Sequence, residues 1–394
     1  MSRRTWLVVG AVVVVAVGVT IGVLATSDAP SVTVPTVALQ GPPVPSSTTT
    51  PAVAAAVLGM GRLDDPANTF YQLLTRPAGA AGWKLETPPG VADNGGLVVG
   101  SSVRGDLTAG FLPAADLTFS VLASRPAGSS QWAAGDVPGT LAAEPDALAT
   151  GPAGQVAAVL SGDGTPVEQQ AAGATSWTRL TTAGQLSAVA GGCRVTRVTS
   201  VAVSTGGTPF VGTRCTGTSV GVFVPTSSSG GWTRLGPTLG ASGVSAATVL
   251  RLTADGPGVD GLVEGSGQGR SSLVGLWGDA SGLVASAPLT VPSGWTVRAT
   301  ATGGAGGSGA QGLAVLLGSR SSSALRLTGV SGPGQPWVSF TTPPSGTTDV
   351  ALVGGEVDAF VPSGSNLHVW SATGTGSWHE MDRLTVPIQY GSSD

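Results

Sequence analysis

The feature that most constrains this chain is a tryptophan that returns at near-regular intervals, each time after a glycine- or serine-rich turn. Trp83, Trp132, Trp177, Trp232, Trp295, Trp337 and Trp378 stand 41 to 63 residues apart. Their flanks repeat as well. Ser176-Trp177-Thr178-Arg179-Leu180 recurs as Gly231-Trp232-Thr233-Arg234-Leu235, with Gly294-Trp295-Thr296-Val297-Arg298 and Gly82-Trp83-Lys84-Leu85 as looser copies. Upstream, Gly164-Thr165-Pro166-Val167 matches Gly207-Thr208-Pro209-Phe210. A period of this length marks one supersecondary unit copied along the chain, each copy burying its apolar face only against its neighbours.

Inside one period the pattern is strand and turn. Ala147–Thr150, Gln155–Leu160, Val167–Gln170 and Trp177–Leu180 are short apolar runs split by Gly, Asp, Pro and Ser, the spacing of a four-stranded meander. No stretch after residue 60 keeps a helical period for two turns. Four strands and one aromatic per repeat predict an all-β chain folded as a β-propeller over residues 58–394. Seven blades fit best, six or eight fit the 63-residue gap, and a pair of β-sandwiches is the runner-up architecture. The seven tryptophans are then structural, packing blade on blade. The first copy offers only Phe70–Leu74 and Trp83–Leu85, while the chain runs past Trp378 through Leu384–Tyr390. Pairing of the C-terminal strand with this partial blade is the expected ring closure.

Ahead of the repeats, Met1–Thr5 carries Arg3 and Arg4, and Trp6–Ala25 is twenty residues without a charge. In a helix that run spans about 30 Å, the hydrocarbon thickness of a bilayer. The arginine pair orients the N-terminus inward, so residues 1–5 read as cytoplasmic and 6–25 as a transmembrane signal anchor. Residues 26–57 read as a linker: 16 of the 26 residues from Thr26 to Pro51 are Ser, Thr or Pro, too polar to repay the entropy of ordering. Ala52–Leu58 reads as one or two helical turns. The expected location is a single-pass membrane protein with its bulk outside the cytoplasm.

Composition narrows the function. Charged residues are 10% of the chain, 18 basic against 22 acidic, for a formal net charge of −4. The basic residues are one lysine, Lys84, and scattered arginines, so no nucleic-acid partner and no steering surface is expected. Two histidines and two cysteines are too few for a zinc site, and no cofactor is expected. An excess of Ala, Gly, Val and Arg over Lys and Ile is the residue usage of a high-GC, actinobacterial-like genome. Outside the cytoplasm Cys193 and Cys215 should pair. A hairpin turning near Gly206 would set Arg197 opposite Cys215, so Cys193 would have to curl back by about four residues in a loop that contributes about 3 kcal/mol.

Thr118–Trp132, Phe223–Trp232 and Val369–Trp378 each read strand, Ser/Gly/Thr turn, tryptophan. This resembles a degenerate BNR (Asp-box) hairpin of sialidase-type propellers, although the defining aspartate is missing from Ser124–Gly128 and Thr226–Gly230. The resemblance implies a propeller and leaves activity open. A sialidase-like site would need a tyrosine beside a glutamate, which only Tyr71 with Glu86 or Tyr390 with Glu380 could supply. His368 and His379 read as exposed strand residues, Gly265-Ser266-Gly267 as a turn, and Asp255–Gly261 as an Asp-Gly turn rather than a calcium loop. The reading is a membrane-tethered, non-catalytic binding or scaffold module for an envelope protein or glycan. The alternative is a sialidase-like glycoside hydrolase.

Overall fold

The computed structural model describes residues 52–59, 69–76, 80–87, 97–102, 105–111, 122–127, 129–135, 145–160, 164–174, 176–226, 230–240, 243–303 and 312–386. The expected anchor and almost all of the linker lie outside them, as does Tyr390. Among the described residues no helix is long and apolar enough to cross a membrane.

The fold is all-β and propeller-like. Four four-stranded antiparallel meanders occupy 97–135, 145–181, 295–339 and 349–385. A nine-stranded sheet spans 194–291, its 194–234 and 246–291 halves joined where Arg214, Cys215 and Thr216 pair with Thr248, Ala247 and Ala246. A three-stranded sheet of Ala52–Gly59, Thr69–Arg76 and Lys84–Leu85 comes first. The period read from the sequence survives intact in 145–181, whose strands Pro145–Thr150, Val156–Leu160, Val167–Gln170 and Trp177–Thr181 pair in chain order.

Burial falls from the first strand of a meander to the last. Leu97–Ser101 and Asp349–Val353 are buried at every residue, whereas His379–Thr385 is buried at none. The first strands lie side by side about an axis and are covered on both faces, hence their unbroken apolar runs. Thr302 Oγ1 donates to Thr253 Oγ1 at 3.3 Å, and Arg251 Nη1 donates to Thr300 Oγ1 at 3.0 Å. Residue 251 therefore aligns with 300 and 253 with 302, so these two first strands run the same way.

Apolar clusters sit between successive sheets. Tyr71 and Leu73 pack with Leu97 and Val99, Val98 and Leu122 with Leu148 and Ala158, and Val159 with Val201 and Phe223. Phe210 and Val222 pack with Val249 and Val263, Leu262 and Leu273 with Val315 and Leu317, and Leu316 with Val350 and Val357. Leu74 and Trp83 then pack with Ala351, Phe360 and Leu367, bringing the first sheet onto the last.

Three expectations change. Ala52–Gly59 is a strand paired with Thr69–Arg76, not helical turns; a ladder of eight partners overrides the helix propensity of its alanines. The first sheet therefore starts ahead of residue 58. A two-turn helix, Ala183–Val189, does occur after residue 60, capped by Thr182 Oγ1 accepting from Gln185 N. Among the described residues the first and last sheets meet through side chains, while Leu384 and Thr385 stay in the last sheet's own ladder. The strand expected to pair with the first sheet runs on into 387–390, outside the described residues.

Candidate functional site

Six of the seven singled-out tryptophans start, or stand just ahead of, the outermost strand of their meander: Trp83, Trp132, Trp177, Trp232, Trp337 and Trp378. Each packs on the cluster shared with the preceding sheet. Trp295 differs, because it starts the first strand of 295–339. The outermost strand of the 246–291 half, Gly282–Ala285, sets Leu283 where the others set tryptophan. The 63-residue gap is therefore one skipped aromatic followed by one out of place.

Cys193 and Cys215 form a disulfide with Cα atoms 5.2 Å apart. Cys215 faces Val195 rather than Arg197, because bulges at Val195/Arg197 and Val198/Ser200 each add a residue to the first strand. The chain turns toward Cys215 at Gly191 and Gly192, whose φ values of 47° and 84° glycine adopts without strain.

The ring axis holds the candidate site. Four first strands line a small cavity of about 10 Å³, with Gly100, Ser101, Ala149, Val201, Leu252 and Thr253 among its walls. Ser101 Oγ is buried with no protein partner. Beneath Thr253 lies Arg251, 1% exposed. Its Nε donates to Thr253 Oγ1 at 3.2 Å and its Nη1 to the Thr300 carbonyl and hydroxyl. Burial brings this guanidinium down to about 9, against the pull of Asp349, so it stays charged at neutral pH. Tyr71 is pushed up to about 12 by burial and then by Asp349.

Asp260 pairs across the ladder with Thr253 and is 1% exposed. Its Oδ2 has no partner, and burial, reinforced by Asp255, holds its carboxyl well above the usual range. Asp255 closes the hairpin opposite Gly258 and is raised by burial as well. Among the described residues no three metal-ligating side chains gather.

The other residues considered for chemistry lie elsewhere. Glu86 is held by Arg125 at 2.6 Å and by Thr75 Oγ1 at 2.6 Å, while the charge acting on Tyr71 is Asp349. His368 Nδ1 lies 2.7 Å from Glu380 Oε1 on the outer strands of the last sheet, and Glu380 also accepts from Arg383. His379 is exposed, and Gly265–Gly267 lies in a strand. Sequence reasoning missed Arg251 and placed Asp260 in an Asp-Gly turn, whereas it lies inside the strand Gly258–Gly267. Their signal was a charge inside an otherwise apolar strand pair, Ala246–Asp255 and Gly258–Gly267.

No protein-family model matches the sequence, and no curated protein resembles it significantly. Among solved structures it is similar to YCF48 from Cyanidioschyzon merolae, at 14% identity and TM-score 0.42, over 86% of this chain and 98% of that one. It is also similar to a 6-phosphogluconolactonase-like protein from Bacteroides uniformis, at 13% identity and TM-score 0.49, over 85% and 97%. A polysaccharide lyase of family PL25, an ulvan lyase, aligns at 9% identity and TM-score 0.42, over 74% and 78%. Likenesses this distant carry no activity across, and the propeller-like description stands on the strand pairing above.

Proposed function

We propose that this chain is a seven-bladed propeller, held outside the cytoplasm by an N-terminal anchor, that binds an envelope protein or polymer without chemistry. The observation that carries it is the axis itself, walled by Gly, Ala, Ser, Val and Leu side chains, with Arg251 engaged below by Thr253 and Thr300. Such an axis offers small side chains and a few hydroxyls rather than paired acid and base groups. Seven blades are supported by the run of apolar clusters, provided the nine-stranded sheet counts as two. The anchor rests on the uncharged run Trp6–Ala25.

The test is crosslinking of the full-length protein in its native membrane, followed by identification of what co-purifies. A stoichiometric partner is expected. Single-carboxylate variants that abolish function while leaving binding intact would overturn the reading.

One observation favours glycoside hydrolysis as a second reading: Asp260, buried, raised and ladder-paired with the cavity residue Thr253, has the environment of a general acid. Turnover of a wall or sialylated glycan, lost in Asp260→Asn, would decide for it.

A further inference from the structure

Charge that is scattered along the sequence is gathered in space. Between residues 182 and 348 there are nine arginines and four acidic residues. Because successive strands alternate direction, seven of the arginines fall at one end of the strands, together with Glu264, while Asp255 and Asp279 fall at the other. Arg194 and Arg197 open one first strand, Arg214 closes its partner, and Arg298 lies near the start of the parallel first strand Trp295–Thr302. Arg270, Arg320 and Arg326 fall at the same ends. All seven of these arginines are exposed. Among the described residues only Arg197 has an ion-pair partner, Asp146 Oδ2 at 2.7 Å. Arg326 lies over the Trp295 ring at 4.6 Å.

The centre of this face is the join in the nine-stranded sheet. Arg197 is the direct cross-strand partner of Arg214, and the row continues through Thr248 to Glu264. The next row runs Arg194, Thr216, Ala246, Ser266. Like charges set directly opposite repel; Asp146 offsets this at Arg197, and Arg214 has no ion-pair partner among the described residues, so a bound anion would relieve what repulsion is left. The disulfide holds the residues next to Arg194 and Arg214 together, so the arginines stand preorganised. Between them the surface offers small and hydroxyl side chains, without the buried aromatic anchor on which protein hot spots are built. The anions that this face already holds are carboxylates: Asp146, paired with Arg197 at 2.7 Å, and Glu264, at the end of the Arg197–Arg214 row.

We propose that this face docks a linear polysaccharide bearing carboxylates, a uronate-type polymer whose successive charges meet successive guanidinium forks. The proposal rests on the binding reading above and names its partner class. It replaces the expectation of an evenly spread charge with no steering surface.

The experiment measures binding of the full-length chain, in detergent, to polygalacturonate. Polyphosphate, poly-glutamate and neutral dextran of matched length are the comparison arms. Saturable polygalacturonate binding is expected, weakening as salt rises because counterions are released on contact. It should fall about tenfold or more in Arg194→Gln/Arg197→Gln/Arg214→Gln, while Arg383→Gln, on the outer strand of the last sheet, stays at the wild-type value. A far-ultraviolet spectrum and melting curve check that the triple variant is folded. If it is not, Arg298→Gln/Arg320→Gln replaces it with the same expectation. Equal affinity of folded variant and wild type, tighter binding of polyphosphate or poly-glutamate, or no binding at all would overturn the inference. Shortening of the polymer would instead overturn the non-catalytic reading, so the two failures are told apart.

Discussion

Asp358→Ala should open the contact between the two ends of the ring. Asp358 is fully buried on the last sheet. Its Oδ2 accepts from Arg76 Nη1 at 2.7 Å and from Trp83 Nε1 at 2.8 Å, both on the first sheet and 275 to 282 residues away in sequence. Trp83 is 3% exposed and meets Phe360 edge-on, with ring centroids 4.9 Å apart. Removing the carboxylate leaves a buried indole N–H without its acceptor, and leaves a nearly buried guanidinium with Glu356 Oε2 at 3.5 Å and the Ala80 carbonyl at 3.1 Å. Breaking a buried pair from one side costs about 3–5 kcal/mol when the remaining charge has no other partner; Glu356 holds the loss toward the lower end, still above the roughly 1 kcal/mol of an exposed ion pair. Chemical denaturation at pH 7, followed by tryptophan fluorescence, reads the difference. Arg76→Ala in the same background should recover part of the loss, because the under-paired cation is then gone. The pH dependence adds an independent sign. Burial raises the Asp358 carboxyl above its ordinary value, with Trp83 and Arg76 opposing it. A raised folded-state value stabilises fully below the unfolded value, near pH 4, and that contribution is lost as pH rises through the folded value. Wild type should therefore lose more stability than Asp358→Asn between pH 4 and the folded value. A cost under about 1 kcal/mol for Asp358→Ala, with parallel pH profiles for wild type and Asp358→Asn, would refute the clasp.

Three further outcomes follow from the same contacts. Asp260→Asn should be more stable than wild type at neutral pH, because the amide, unlike the carboxyl, has no charged form to disfavour in that site. Its advantage should grow as pH rises from about 4, because the raised Asp260 carboxyl must ionise without a partner; melting at a series of pH values checks it. Cys215→Ser, or reduction, should remove about 3 kcal/mol for a loop of 22 residues, read as a shift in the denaturant midpoint with and without reductant. Trp83→Ala should cost about 3–5 kcal/mol, and Trp177→Ala, half-buried at its seam, clearly less; reversed order in denaturation curves would show that the buried indole is not what seals the first sheet.

What was legible in the sequence was whatever repeats locally. Val156–Leu160 and Val167–Gln170 follow from short runs bounded by turn residues, and the disulfide from an even pair of cysteines. Register was not legible. Two bulges in Arg194–Val203 slid Cys215 from Arg197 to Val195, and a bulge is a tertiary accommodation with no fixed residue signature. Ala52–Gly59 was misread because its alanines favour helix until a partner strand is present. The helix Ala183–Val189 did announce itself, in the Thr182-x-x-Gln185 capping pattern, but at two turns it is too short for periodicity to find. The arginine face was hidden for a geometric reason: residues 197 and 214 are adjacent only once a hairpin folds.

The departures from the repeat coincide. The seam between the 194–234 and 246–291 halves is the one where Leu283 stands in for the outer tryptophan. There the ladder crosses from one meander to the next, the disulfide lies beside the crossing, and two arginines face each other. An ordinary seam relies on an indole laid over side chains, which tolerates sliding. This one substitutes backbone hydrogen bonds, which do not, and the disulfide stiffens the 194–234 half right beside them. Rigidity of that kind is wasted on packing alone, since the other seams manage without it. It is what a surface needs if several guanidinium groups are to meet a ligand without losing entropy on contact. Where a repeat protein gives up its own rule and replaces it with a stiffer one, the local cost is best explained by use.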